Sequence, residues 1–132
     1  RTSRNAKAHA KMDAQGALKI AGIASAGYSA QMFGMPTLAN KLYFKEGHPE
    51  NKNMSRWFGH ALATCSAAQI LASGDSQPSK ARKAVLLASA GQYLTAPLNM
   101  LSQKEFKPEM VALNTVTCGV VGALCLKAAL KE

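Results

Sequence analysis

The stretch RWFGHALATCSAAQILASG, residues 56–74, raises the question that decides the fold of this chain. After Arg56 it runs for 18 residues without an acidic or basic side chain other than His60. A bilayer core about 30 Å thick needs roughly 20 mostly apolar residues per helix. The stretch is therefore typical of a membrane span or of the buried helix of a soluble domain.

Charge is distributed in the same uneven way along all 132 residues. The net charge is +9, the hydrophobic fraction is 48% and the mean hydropathy is −0.07. The 16 Lys and Arg and the 7 Asp and Glu all lie outside four segments, residues 20–40, 57–74, 84–103 and 110–126. A soluble amphipathic helix presents a polar face about every 3.6 residues. We therefore expect an all-α integral membrane bundle of four transmembrane helices with short loops, and a soluble helical bundle is the alternative.

The four segments divide the chain into three predicted parts. Residues 1–19 are a basic N-terminal extension, residues 20–126 the four-helix transmembrane domain, and residues 127–132 a C-terminal tail. With four spans, ten Lys and Arg lie on the side of both termini and six on the other side. The positive-inside rule then places both termini on the cytosolic, matrix or stromal side.

Small residues recur at every fourth position in the first and last segments, a pattern favoured where two helices touch. They are Gly22, Ala26, Ala30 and Gly34, followed by Thr115, Gly119 and Ala123. We expect both stripes to form helix contacts. Pro36 is expected to kink or end the first helix. Ser79 is a candidate N-cap, and Pro108 fits the first turn of the last helix.

Catalytic chemistry is not indicated by the sequence. The four segments contain no Asp, Glu, Lys or Arg, whereas a pump or ion-coupled transporter usually needs an ionisable group inside the membrane. The chain has no GxSxG, HExxH or P-loop motif. Its histidines, His9, His48 and His60, are far apart and show no metal-binding spacing. We predict no catalytic residues and no metal site.

The cysteines and the basic N-terminus each have a simple interpretation. Cys65, Cys118 and Cys125 lie in the predicted spans without a CxxC motif, so we expect small packing residues and no disulfide framework. The basic N-terminus lacks the motifs and aromatic–basic interleaving of nucleic-acid binding. We predict no nucleic-acid partner and a flank that sets topology or touches anionic lipid.

Five polar side chains inside the predicted spans are candidate chlorophyll ligands. They are His60, Gln31, Gln69, Gln92 and Asn114. Neutral imidazole binds the magnesium of chlorophyll, and amide oxygens ligate magnesium directly or through water. A structural histidine at the interface is the alternative for His60, and interhelical hydrogen bonding is the commoner use of the amides. A haem held by two histidines would need a second histidine within a span, and none exists.

The chain carries Gly/Ala/Ser-rich spans with scattered His, Gln and Asn, and its second span starts with RWFGHALA. In these features it resembles nucleus-encoded accessory subunits of photosystem I supercomplexes in algae with secondary plastids. It departs from light-harvesting proteins, because no span contains the Glu and Arg that form their pair. The segments ANKLYF and RWFG also give a likeness to DoxX-like four-helix membrane proteins.

The resemblance implies a non-catalytic structural subunit that stabilises a supercomplex in the chloroplast thylakoid. It implies photosystem subunits and lipids as partners, chlorophyll as a cofactor, and a chain that is not a self-sufficient monomer. Three alternatives stay open at this point. They are an accessory subunit of a mitochondrial respiratory complex or ATP synthase in the inner membrane, a small DoxX-like redox membrane protein, and a soluble helical interaction module.

Overall fold

The computed structural model describes the backbone of residues 2–75 and 77–132, with side chains for residues 14–75 and 77–132. The elements are α1 (Thr2–Ser29), a π-helical segment (Ala30–Gly34), α2 (Pro36–Tyr43), α3 (Lys52–Ser73), α4 (Lys80–Leu101) and α5 (Pro108–Ala129). In this part of the chain, β pairing is limited to one bridge between Phe44 and Phe106. The predicted all-α class is confirmed.

The four long helices form an up-and-down bundle. Helix α1 packs mainly on α3, α4 packs mainly on α5, and the α1–α5 and α3–α4 contacts complete the bundle. At one end, here called the terminal end, Gln15 Nε2 donates to the carbonyl oxygen of Asp75 at 3.0 Å. At the opposite, loop end, the backbone N–H of Lys107 donates to the carbonyl oxygen of Tyr43 at 2.9 Å. Helix neighbours are therefore antiparallel.

Capping residues and prolines set the helix boundaries. The Ser79 hydroxyl accepts from the backbone N–H of Arg82 at 3.0 Å, which confirms the predicted N-cap of α4. The Asn51 side chain caps α3 in the same way, by accepting from Met54. The predicted roles of Pro36 and Pro108 are also confirmed, because α1 ends before Pro36 and each proline begins a new helix. Proline suits a first turn, where its missing N–H has no helical partner to lose.

The interior of the bundle consists mostly of small side chains. Twelve buried residues form the core, and six of them are alanines and two are cysteines, so the helices can approach one another closely. By contrast, 21 large apolar side chains among residues 14–75 and 77–132 are exposed, including Ile23 (69%), Trp57 (75%) and Leu71 (76%). Large apolar surface therefore faces outward in this bundle.

The predicted contact stripe on α1 is wrong beyond its first residue. A Cβ added at Gly22 would lie 2.6 Å from Ile70 Cδ1, so Gly22 does touch α3. The other three members of the stripe are exposed, and a Cβ at Gly34 would meet nothing within 4 Å. Among the described side chains of α1, the buried positions are Ala14, Ala17, Leu18, Ala21, Gly22 and Ser25. Small residues occur on several faces of α1, and small size alone therefore does not identify the packed face.

On helix α5, too, the packed face lies one position away from the predicted stripe. Its predicted stripe is exposed at Thr115 and Ala123, and a Cβ at Gly119 would meet nothing within 4 Å. The face that packs instead carries Asn114, Cys118, Val121, Gly122 and Cys125. The contact prediction for α5 is therefore wrong, because the packed face includes larger side chains than glycine and alanine.

The helices extend past the predicted limits of the bundle at residues 19 and 127. Helix α1 runs without a break from Thr2, and Ala14, Ala17 and Leu18 belong to the core. Helix α5 continues to Ala129. The charges that suggest these limits do not end a helix, because Lys19 lies within α1 and Lys127 lies within α5.

One helix among the described residues is long and apolar enough to cross a membrane, judged by length and composition. It is α5, and 28% of its apolar window is buried. The prediction of four transmembrane helices is therefore not confirmed. The other long helices are free of charge over similar lengths, but their many Ala, Gly, Ser and Gln residues lower their hydropathy.

Candidate functional site

His60 lies in a recess on the outer face of the bundle. The recess is lined by Phe33, Asn53, Arg56, Trp57 and His60 and has a volume of about 640 Å³. The imidazole is exposed and meets the ring of Phe33 edge-on, with ring centroids 4.6 Å apart. Within the described part of the chain its nitrogens make no hydrogen bond. The ring nitrogens are therefore available to an external ligand.

The π-helical segment holds the recess in shape. A Cβ added at Gly59 would lie 2.7 Å from the backbone nitrogen of Phe33, so glycine allows the segment to approach α3 closely. The hydroxyl of Ser29 donates to the carbonyl oxygen of Gly59 at 2.8 Å and fixes the same contact. Phe33 is thereby fixed beside His60.

The recess has the size and the mixed lining of a small-molecule pocket. Small-molecule pockets usually measure about 300–1,000 Å³ and combine apolar walls with a few polar groups. Phe33 and Trp57 supply the aromatic walls, His60 supplies a nitrogen donor, and Arg56 supplies a positive charge. The recess therefore places one nitrogen donor and one positive charge between two aromatic side chains.

Two of the four candidate amides are buried inside the bundle. Gln69 is 2% exposed and donates through Nε2 to the hydroxyl of Ser89 at 3.0 Å. Asn114 is 4% exposed, accepts from the Tyr28 hydroxyl at 2.7 Å and donates to the carbonyl oxygen of Met110. These are the interhelical and intrahelical hydrogen bonds expected of polar groups inside a bundle.

The other two amides are half-buried. The oxygen of Gln31 accepts from the hydroxyl of Tyr43 at 2.9 Å. Burial raises the pKa of Tyr43 to about 12, so this phenol stays protonated and donates near neutral pH. Gln92 makes no side-chain hydrogen bond within the described residues. The structure does not bring the five candidates together, and each ligand role stays a prediction.

A groove runs between α1 and α5, on a different face from the His60 recess. It has a volume of about 600 Å³, and its lining includes Gly27, Gln31, Tyr43, Leu113 and Val120. It will be called the α1–α5 groove. The sequence reasoning missed it, because it forms where small residues of α1 face larger residues of α5. Only the pairing of these two helices, which the sequence does not specify, reveals it.

Arg82 is the second feature that sequence reasoning missed. Its side chain is fully buried at the terminal end and pairs with Glu132, with Nε 3.1 Å from Oε2 and Nη2 in contact with Oε1. Its Nη1 donates to the carbonyl oxygen of Asp75 at 2.8 Å. In the sequence Arg82 is one of several basic residues in a predicted loop, and its partner Glu132 lies 50 residues away.

The cysteines pack as predicted for small buried residues. Cys118 and Cys125 belong to the core cluster, and Cys65 is half-buried. All three are free thiols. Within residues 14–75 and 77–132, no group of three or more His, Cys, Asp and Glu side chains could hold a metal ion.

Comparison with protein-family models, curated proteins and solved structures finds no match to this chain. The surface of the bundle presents the His60 recess, the α1–α5 groove and the apolar outer faces of the helices.

Proposed function

We propose that this chain is a non-catalytic accessory subunit of a large organellar membrane complex, namely photosystem I with its antenna. In this proposal the four long helices cross the thylakoid membrane, and both chain ends lie on the stromal side. The subunit fills a gap between larger proteins and stabilises their assembly. It also carries chlorophyll at His60.

The observation that carries this proposal is the outward position of the large apolar side chains. On α5, Leu113, Val116, Val120 and Leu124 are all exposed, and the same outward placement recurs on the other helices. Monomeric soluble proteins rarely expose contiguous apolar patches beyond a few hundred Å². Lipid tails or the apolar faces of neighbouring subunits would cover this surface.

The placement of charge supports the same proposal. The antiparallel bundle puts charged residues near its two ends and leaves four charge-free segments between them. Exposed Lys80 and Lys83 begin α4 at the terminal end, and exposed Lys45 and Lys104 lie at the loop end. Charged ends and an uncharged middle match a bilayer with two polar interfaces and one hydrocarbon core.

Two measurements test the membrane and complex assignments. Washing organellar membranes with alkaline carbonate should leave the chain in the pellet, and quantitative release would contradict the membrane proposal. On a native gel the chain should migrate with photosystem I. Migration with a respiratory complex or with ATP synthase would contradict the photosystem assignment and favour the mitochondrial alternative.

The pigment assignment is tested at His60. Replacement by alanine should remove about one chlorophyll per chain from the isolated complex, measured by pigment extraction against protein. His48→Ala is the matched control, because His48 stacks on Phe44 in the loop, outside the charge-free segments, with ring centroids 4.2 Å apart. Equal pigment content in His60→Ala and His48→Ala would show that His60 is not a chlorophyll ligand. It would not contradict the proposed structural role of the subunit.

A further inference from the structure

We propose that the α1–α5 groove holds one acyl chain of a membrane glycerolipid, whose ester carbonyl accepts a hydrogen bond from Gln31. The inference rests on the proposed membrane function, because the groove must open to a bilayer. It adds a specific lipid site to that function. The site is separate from the His60 recess.

The walls of the groove suit a hydrocarbon chain. Leu113, Val116 and Val120 line it from α5, and Ala24 and Gly27 line it from α1. A Cβ added at Gly27 would meet nothing within 4 Å, so the space beside this glycine is not filled by the protein. A flexible apolar chain can occupy such a groove and make the contacts that the small residues of α1 leave unmade.

The length of the groove matches one leaflet of a bilayer. On α5 the lining extends from Met110 to Val121, which corresponds to about 16 Å at 1.5 Å per residue. The hydrocarbon core of a bilayer is about 30 Å thick, so one leaflet contributes roughly half of that distance. An acyl chain that enters at the loop end would therefore fill the groove and stop near mid-membrane.

The hydrogen bonds of the lining leave one amide donor free. The hydroxyl of Tyr28 donates to Asn114 Oδ1 at 2.7 Å, and that of Thr117 donates to the carbonyl oxygen of Leu113 at 3.0 Å. The hydroxyl of Tyr43 donates to Gln31 Oε1. Within the described part of the chain, Gln31 Nε2 has no partner. The groove therefore offers a ligand a hydrogen-bond donor, which a carbonyl oxygen satisfies.

The position of Gln31 agrees with an ester carbonyl. Its partner Tyr43 ends α2, and the carbonyl oxygen of Tyr43 accepts from the backbone of Lys107 in the loop that closes this end of the bundle. Lys41 and Lys107 lie beside this contact. Gln31 is thus just below a basic, polar layer, at the depth where a glycerolipid changes from headgroup to acyl chain.

The test compares two substitutions on adjacent residues of α1. The full chain is reconstituted into dioleoylphosphatidylcholine vesicles, released in mild detergent, and examined by native mass spectrometry for retained lipid. Gly27→Phe fills the groove, whereas Ala26→Phe adds the same ring to an exposed position outside the lining. We expect one retained lipid in the unmodified chain and in Ala26→Phe, and an at least tenfold lower retained fraction in Gly27→Phe. Equal retention in both variants would overturn the groove as the lipid site.

A second pair tests the hydrogen bond. Gln31→Leu should weaken lipid retention about fivefold, the effect of one ordinary hydrogen bond. Gln92→Leu, on α4 outside the groove, should leave retention unchanged. Unchanged retention in Gln31→Leu would overturn the carbonyl contact. Circular dichroism of every variant must match that of the unmodified chain, and a variant that unfolds is replaced by Gly27→Leu or Gln31→Met.

Two further results separate this inference from the proposed function. Isoprenoid quinones also combine a long apolar chain with a carbonyl, so ubiquinone is added to the vesicles as a competitor at equal mole fraction. Displacement of the phospholipid by ubiquinone would overturn the glycerolipid assignment. A chain that stays in carbonate-washed membranes but retains no lipid contradicts only the groove, whereas release by carbonate contradicts the membrane function itself.

Discussion

At the scale of single residues, Arg82 and Glu132 form a buried ion pair at the terminal end of the bundle. It joins the start of α4 to the segment after α5, and the link from Arg82 to Asp75 adds the turn after α3. Both charged side chains are almost completely buried, at 0% and 2% exposed. Each charge therefore depends on its partner, because an unpaired buried ion is costly.

Replacement of Arg82 by leucine should destabilise the chain by about 3–5 kcal/mol, because it leaves the Glu132 carboxylate buried without a partner. The thermal unfolding midpoint in detergent measures the effect. Lys83→Leu is the control at the next, exposed position and should change stability by less than about 0.5 kcal/mol.

The double variant Arg82→Leu/Glu132→Leu separates the pair from the packing. Removing both charges should recover most of the lost stability, since apolar replacements for a buried ion pair are often neutral or stabilising. A double variant that is as unstable as Arg82→Leu alone would show that Arg82 acts through its hydrogen bond to Asp75 and its packing.

The sequence could not predict this pair, although it predicted other single-residue features. Ser79, Pro36 and Pro108 act through backbone groups within a few residues, and local sequence is enough to assign their roles. Arg82 depends on a partner 50 residues away. Its burial follows from the assembly of three helix ends, which no local pattern encodes.

At the scale of elements, the contact between α3 and the π-helical segment depends on the absence of a side chain at Gly59. A Cβ there would lie 2.7 Å from a backbone nitrogen, and a backbone atom cannot rotate away as a side-chain tip can. The π-helical segment is thereby held against α3 at a distance that other residues would not permit. Such segments are frequent at functional sites, and this one lines both the His60 recess and the α1–α5 groove.

Gly59→Ala should therefore destabilise the bundle by about 1–3 kcal/mol, the usual cost of overpacking. Gly119→Ala is the control in another helix, where a Cβ meets nothing within 4 Å. The control should be neutral or gain up to about 1 kcal/mol from higher helix propensity. The thermal unfolding midpoints of the two variants are compared with that of the unmodified chain. Equal effects of the two substitutions would contradict the close approach of the π-helical segment to α3.

The helices themselves could be predicted from the sequence, but their contacting faces could not. The charge-free segments indicated four long helices, and all four exist. On α1 the exposed Ala26 and the buried Ala21 are chemically the same, and on α5 the half-buried Gly119, where an added Cβ would meet nothing within 4 Å, lies next to the buried Cys118. When all faces of a helix carry small or apolar residues, hydropathy does not distinguish the interior from the surface. His60 can be proposed as a candidate ligand from its residue type and its position in the sequence. The groove can be recognised only when the pairing of α1 with α5 is known.

At the scale of the whole molecule, the uneven charge of the two ends of the bundle predicts the orientation of the chain in the membrane. Single cysteines are introduced at Lys80, on the terminal end, and at Lys104, on the loop end, both of which are exposed. Under the proposed function, a membrane-impermeant maleimide added to intact thylakoids should label the first variant and should label the second only after detergent. The Cys65→Ala background removes the half-buried native thiol.

The opposite labelling pattern would show that the chain has the reverse orientation in the membrane. It would not contradict the helical bundle. Labelling of both positions in intact membranes would contradict a chain that crosses the bilayer. The positive-inside rule supports the stated direction, because with four spans the sequence has ten Lys and Arg on the side of both termini and six on the other side.

The five residues of the π-helical segment also link the two sides of the molecule mechanically. Gln31 faces the α1–α5 groove and Phe33 faces the His60 recess, so one short segment is a wall of both. It has a contact on each side, with Tyr43 at Gln31 and with Gly59 near Phe33. A displacement of the segment that widens one site must alter the other. A substitution in this segment is consequently constrained by both sites.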